Sequence, residues 1–294
     1  MVMDHLLKGT TMANSSEKWD LIIESKRKLF DLQIREVIRY RDLVWLFVKR
    51  DFVTQYKQTI LGPLWFVLNP LFSTVMYAFV FGNLAKIGTD NVPYLLFYYA
   101  GTMLWTFFTG CFTDASNVFI NNANLFGKVY FPRFTVPISN VFNNLTKVAV
   151  QLMMLMIFFA YYLITGDSVK PSIWAFAFPI LLVWIAASAM GMGMIISSLT
   201  TKYRDLKQLV SFAIGLAMYA TPVVYPISQM PVNFAWVNYV NPVSAPVELF
   251  RVWFYGAGNV PPLMILSSSV ITASVLLIGL LLFNQNERNF IDVV

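Results

Sequence analysis

Charge is scarce in this chain, and so are the side chains that do chemistry. Only 12% of its 294 residues are charged, against about 25% in an ordinary soluble domain. There is one cysteine, Cys111, which excludes a disulfide scaffold. There is one histidine, His5, and no pair of His and Cys has metal-ligand spacing. No G-x-x-x-x-G-K-[ST] phosphate loop occurs, so the chain does not hydrolyse nucleotide by that route. D-x-D and G-x-S-x-G are also missing. A membrane enzyme would need an acid, a base or a metal, and the candidates shrink to Asp114, Lys147, Glu248 and Arg251. No catalytic residue and no metal ligand is nominated.

What is abundant is apolar surface. Apolar residues make up 57% of the chain and aromatics 16%, and mean hydropathy is +0.62. A soluble protein of this size could not bury so much, so the expected solvent is a bilayer. A spanning helix needs about 20 apolar residues with few charges. Six runs qualify: 61–82, 94–113, 134–164 with only Lys147, 172–201, the short 208–224, and 261–283. The expected fold is an all-α polytopic membrane protein with six transmembrane helices.

The net charge of +6 is too dilute for a nucleic-acid surface, which needs a clustered basic face. It is sorted by side instead. With the N-terminus inside, 17 Lys and Arg fall in cytoplasmic segments and three, Lys86, Lys170 and Arg251, fall outside. The positive-inside rule therefore expects both termini in the cytoplasm. Residues 1–31 hold no apolar run, so no cleavable leader is expected.

The expected division is a cytoplasmic tail (1–30), an amphipathic interface helix (31–60), the membrane part (61–283) and a cytoplasmic C-terminus (284–294). In the interface helix Val44, Phe47, Val48 and Phe52 recur at helical spacing between Arg39, Arg41, Lys49 and Arg50. Such a helix rests in the headgroup layer with its apolar face in the acyl boundary; packing on a partner is the alternative. Between Thr221 and Pro246 five prolines occur without a charge. Proline breaks helices, and broken backbone at membrane depth must be covered by protein or line a cavity. Two short re-entrant helices are expected over about 225–250, with a plain external loop as the alternative.

Asn140, Asn143, Asn144, Lys147 and Gln151 share one face of the third run. A charge at this depth faces the bundle interior or a water-filled cavity. Asn144, Lys147 and Gln151 are therefore channel candidates; polar contacts between helices and snorkelling of Lys147 are the alternatives. Tyr94, Tyr98, Trp105, Phe108 and Phe112 fall in one sector of the second run, as do Trp65, Phe72 and Phe79 of the first. Aromatic faces suit the C–H faces of sugar rings, while bundle packing and interfacial belts use the same residues. Glu248 and Arg251 have the spacing of a structural ion pair. The stretches 121–133 and 200–207 mix aromatic and basic residues, which suits docking of a soluble partner or anchoring to anionic lipid.

Together these features resemble the membrane subunit of a type-2 ABC exporter, nearest the Wzm-type O-antigen permeases and their teichoic-acid and capsule relatives. The resemblance covers about residues 35–285. Its best motif is Gln55-Tyr56-Lys57-Gln58-Thr59-Ile60-Leu61-Gly62-Pro63-Leu64-Trp65, with Gln55 where relatives often have Arg. Phe131-Pro132, Tyr203-Arg204-Asp205, Tyr225-Pro226, Asn241-Pro242 and Arg251 follow in the family's order. The resemblance implies a homodimer in a bacterial inner membrane, working with two copies of a separate ATPase subunit. It implies no cofactor on this chain, ATP and magnesium being held by that ATPase. Contacts to the ATPase would come from Lys49, Arg50, Tyr56, Lys57, Phe126, Lys128, Tyr130 and Arg133. Trp65, Phe72, Tyr98, Trp105, Phe108 and Phe112 would line a channel for a lipid-linked polysaccharide. An exporter of drugs, lipids or ions, a glycan-modifying membrane enzyme and a secondary carrier are the alternatives. The lack of obvious inverted symmetry between the halves weakens the last.

Overall fold

The computed structural model describes residues 34–293 except Gln58, Gly127, Val129, Tyr130, Asp167, Ser168 and residues 201–204. The expected tail over 1–30, Tyr130 and Tyr203-Arg204 thus lie outside the described residues, as do the side chains of Tyr56 and of residues 286–293.

Helix α1 (Ile34–Arg39) and helix α2 (Arg41–Tyr56) enter the bundle with a break at Tyr40. The expected apolar face of α2 corrects one reading. Val44, Phe47 and Val48 are buried, but against their own chain, with the Phe47 ring 5.7 Å from Phe131. The apolar residues left outside are Ile38, Trp45, Leu46 and Val53. The segment is apolar on two sides, and close-packed rings give its inner side more dispersion contacts than loose surroundings would.

Gly62 turns the chain into the next helix at φ +51°, a region costly for any residue with a Cβ. The 3-10 turn Gly62–Leu64, helix α3 (Trp65–Tyr77) and a π-helical end, Ala78–Leu84, follow. Then come α4 (Tyr94–Ser116), the short α5 (Val118–Asn121) and α6 (Ala123–Phe126), and α7 (Thr135–Thr165). A 3-10 turn (Ile173–Ala177) leads into α8 (Phe178–Thr200), followed by α9 (Leu206–Ala217). Two further 3-10 turns precede α10 (Trp236–Val240), α11 (Ser244–Tyr255) and α12 (Pro262–Val293).

Five stretches are long and apolar enough to cross a membrane: Gly62–Leu84, Tyr94–Ser116, Thr135–Thr165, Ile173–Thr200 and Pro262–Gln285. They match five of the six expected runs. In the remaining run, 208–224, α9 has 12 residues, about 18 Å of helix against a hydrocarbon core of about 30 Å. Turns continue to Tyr225, where Pro222 and Pro226 cannot donate.

Helix α4 is the centre. It packs on α3, α7 and α8, and most of its residues are buried. Helix α8 lies against α12 at Gly191 and Gly279, whose backbones touch. Small residues let membrane helices approach this closely. Two polar contacts tie the same pair: Trp184 Nε1–H donates to Thr272 Oγ1 at 3.0 Å, and Ser188 Oγ lies 2.8 Å from Thr272 Oγ1. A second apolar cluster, with Phe47, Phe119, Phe126, Phe131, Met194 and Phe283, joins α2 and the α5–α7 connection to α8 and α12.

Candidate functional site

The polar face of α7 is anchored to two neighbours. Asn144 Nδ2 donates to Asp114 Oδ2 of α4 at 2.7 Å, and Asn144 Oδ1 accepts from Lys147 Nζ at 3.0 Å. Lys147 and Asp114 are thereby linked through one amide. Gly110 makes room: a Cβ there would stand 2.6 Å from Asn144 Oδ1. Gln151 Nε2 donates to the Phe66 carbonyl of α3 at 3.0 Å. That carbonyl lacks its helical donor, because the residue four further on is Pro70. Lys147 Nζ also stands 5.8 Å from the centre of the Phe66 ring, a cation–π distance. The three α7 candidates thus meet at the junction of α3, α4 and α7. Sequence reading placed Asp114 only among possible enzyme groups; its partner lies 30 residues away and no spacing signal could show it.

The aromatic candidates separate into two sets. On α4, Tyr98, Trp105, Phe108 and Phe112 are all buried within the protomer. Trp105 stacks near Phe108 at 5.1 Å and Phe108 near Phe112 at 6.1 Å. Trp105 and Phe108 also border a cavity of about 250 Å³ with Met192, Thr221, Trp236 and Asn241. On the first span, Trp65 and Phe72 are 42% and 59% exposed, and Phe79 is exposed beside them. The α4 set is enclosed in the bundle, while the α3 set lies on its outer side.

The cytoplasmic-loop candidates also divide. Lys49, Arg50, Lys57 and Lys128 are exposed, with Arg50 Nε 2.7 Å from Asp51 Oδ1. Phe126 and Arg133 are buried, the Arg133 guanidinium 5.3 Å from the Phe126 ring centre. Phe126 packs on Phe131, whose ring meets Phe47 of α2, and the lysines stay at the surface.

At the other end, Arg251 clamps the proline-broken segment. It pairs with Glu248 at 2.8 Å, both side chains no more than 2% exposed. Its second nitrogen donates to the Val223 carbonyl at 3.0 Å, and its guanidinium lies 3.7 Å from the centre of the Phe97 ring of α4. Burial pushes the Glu248 carboxyl up from its ordinary value, and Arg251 opposes that shift. Asn241 assists: Nδ2 donates to Thr221 Oγ1 at 2.8 Å and Oδ1 accepts from Val243 N–H at 3.0 Å. Ser268 of α12 donates to the Pro242 carbonyl at 2.7 Å, which Pro246 cannot serve. No group of His, Cys, Asp and Glu able to hold a metal is present among the described residues.

Comparison with known proteins follows the same elements. The family model described as ABC-2 type transporter matches residues 42–255, from α2 through the last turn of α11. Two O-antigen export system permease proteins RfbA from Klebsiella pneumoniae are each 29% identical, covering 86% of this chain and 95% of the relative. An O-antigen export system permease protein RfbA from Myxococcus xanthus is 27% identical over 76% of this chain and 84% of the relative. The match takes in the α3–α4–α7 junction and the Arg251 clamp alike, and with five membrane-length helices beside them the chain belongs to the ABC-2 type transporter family, as a multi-pass membrane protein.

Proposed function

We propose that this chain is the permease subunit of an ATP-driven exporter of lipid-linked polysaccharide in a bacterial inner membrane. The relatives named as O-antigen export permeases support the cargo. One observation carries the architecture: α9 has no buried residue in the protomer, and Leu209, Phe212 and Leu216 are all more than half exposed. Val210, Ile214 and Ala217 pack on the bundle, and in this reading a second copy of the chain covers the outer face of α9. In this reading α9 and the turns up to Tyr225 form a broken fifth of six spans. Helices α10 and α11 re-enter from the outer side, and both termini are cytoplasmic.

The channel then runs between two copies. Trp65 and Phe72 present aromatic faces to it, while Trp105 and Phe108 reach it from behind α9. A long flexible glycan needs a wall that tolerates repeats, and stacking without a deep well serves that. The exposed Lys49, Arg50, Lys57 and Lys128 meet the cytoplasmic ATPase, two copies of which bind ATP and magnesium. Movement of α2 passes through Phe47 and Phe131 to α7 and so to the Asn144 junction.

A second reading, export of a smaller apolar cargo, is favoured by the cavity beside Trp105, whose lining is apolar apart from Thr221 and Asn241. The test is co-purification from membranes with the product of an adjacent ATPase gene, then an ATPase assay in lipid. A two-plus-two complex whose activity changes with lipid-linked glycan supports polysaccharide export. Response only to drugs or lipids moves the assignment to the second reading. Absence of any ATPase partner sinks both.

A further inference from the structure

A groove on the side of the bundle has no part in that scheme. Phe134, Ile138 and Phe142 recur every fourth residue along the start of α7, a row about 12 Å long. Ile38 of α1 and Val44 and Trp45 of α2 face them. The space between is about 500 Å³. Ile38, Trp45 and Phe142 are 65%, 67% and 49% exposed, so the groove opens sideways. One charged residue, Arg41, stands on its wall. Its nearest carboxylate is Asp42, at 3.9 Å with both side chains almost fully exposed, a pairing worth next to nothing. Arg39, in the last turn of α1, is exposed beside it.

The geometry points to a resident site for one anionic glycerophospholipid, its two acyl chains in the groove and the phosphate on Arg41. Dimensions select this occupant. Volume over length gives a section of roughly 40 Å², too narrow for a helix about 10–12 Å across and wide enough for two hydrocarbon chains side by side. At about 30 Å³ per small group, as for a water molecule, the groove holds on the order of 16 methylene-sized units, about eight along each chain. Aromatic walls on both sides give those chains contacts that bulk lipid does not. The exposed Arg41 guanidinium, only weakly paired with Asp42, favours a net negative headgroup over a zwitterionic one. The bound lipid fills the gap beside the hinge at Tyr40 and joins α1 to α7. From the export scheme the proposal takes only the orientation that puts the start of α7 at the inner leaflet, and nothing about the cargo.

The test uses the full-length protein with photoreactive benzoylphenylalanine in place of Phe142. It is reconstituted in vesicles of phosphatidylethanolamine and phosphatidylglycerol, and captured lipid is identified by mass spectrometry. Phosphatidylglycerol is expected about fivefold above its share of the vesicle, the ratio one basic contact near an anionic lipid produces. Arg41→Gln should bring capture down to the bulk ratio. Ile138→Trp, which fills the groove and keeps the charge, should suppress capture of either lipid. Capture at the bulk ratio in the parent protein overturns the proposal, as does enrichment that Arg41→Gln leaves unchanged. Preferential capture of an added polyprenyl phosphate, or of protein, overturns it too. Lipid capture is read without ATPase or cargo, so failure of the export scheme would show only in the ATPase assay.

Discussion

Pro70 has no N–H to offer the carbonyl of Phe66, and Gln151 of α7 supplies the missing donor at 3.0 Å. A helix defect in α3 is thereby converted into a contact between spans. Gln151→Leu should cost about 1–3 kcal/mol, the desolvation penalty of an unserved carbonyl, read as a lower Tm in detergent. Adding Pro70→Ala should recover most of it, because the new N–H returns the helical hydrogen bond. Asp114 and Lys147 meet through Asn144 rather than directly. Either Asp114→Asn or Lys147→Met leaves one charge without compensation at membrane depth. The double variant should therefore be more stable than the two single losses added together, as a thermal double-mutant cycle would show. Glu248 and Arg251 have no intermediary. Glu248→Ala should cost about 3–5 kcal/mol, since it strands a buried guanidinium; a Tm close to the parent's would show that the pair is dispensable.

Among the helices, enclosure differs more than composition does. Helices α4 and α3 are both rich in aromatics, yet α4 is the bundle's axis and α3 lies at its edge. Of the five membrane-length stretches α4 is the least apolar, and in a bilayer it is the polar groups, such as Asp114, that are drawn to the bundle interior. The close approach of α8 and α12 rests on Gly191 and Gly279. Gly279→Leu must push the backbones apart and should cost about 1–3 kcal/mol or more, with the Thr272 contacts to Trp184 and Ser188 lost together. An unchanged Tm would mean that the helices separate without consequence. Helix α2 shows the opposite case: its mixed sequence serves two surfaces at once, one on Phe131 and one outside.

For the whole molecule, the outer faces of α9 and α3 are where the proposed second copy would pack. With Cys111 replaced by alanine and Phe212 by cysteine, oxidation in membranes should join two copies into a covalent dimer. A cysteine at Phe142, on the face assigned to lipid, should not do so. A reversed pattern would move the dimer interface to the α7 side. The substitution of Cys111 should be mild, since a buried free cysteine acts as a small apolar group.

Much of this protein is written locally. The all-helical class and five membrane-length stretches follow from apolar run length, which one helix satisfies by itself. The Asn144–Lys147–Gln151 face is likewise local, because residues three and four apart share a side wherever the helix goes. The glycine turn at Gly62 belongs to the same class. The tertiary structure alone decided that Asp114 answers Lys147, that Gln151 serves Phe66 and that Arg251 holds the Val223 carbonyl. It also decided that the aromatic stripe of α4 points inward while that of α3 does not. The reason is physical: the partners lie between 28 and 85 residues apart. Which side of a helix is enclosed depends on how many neighbours pack around it, and periodicity within one segment carries no information about them.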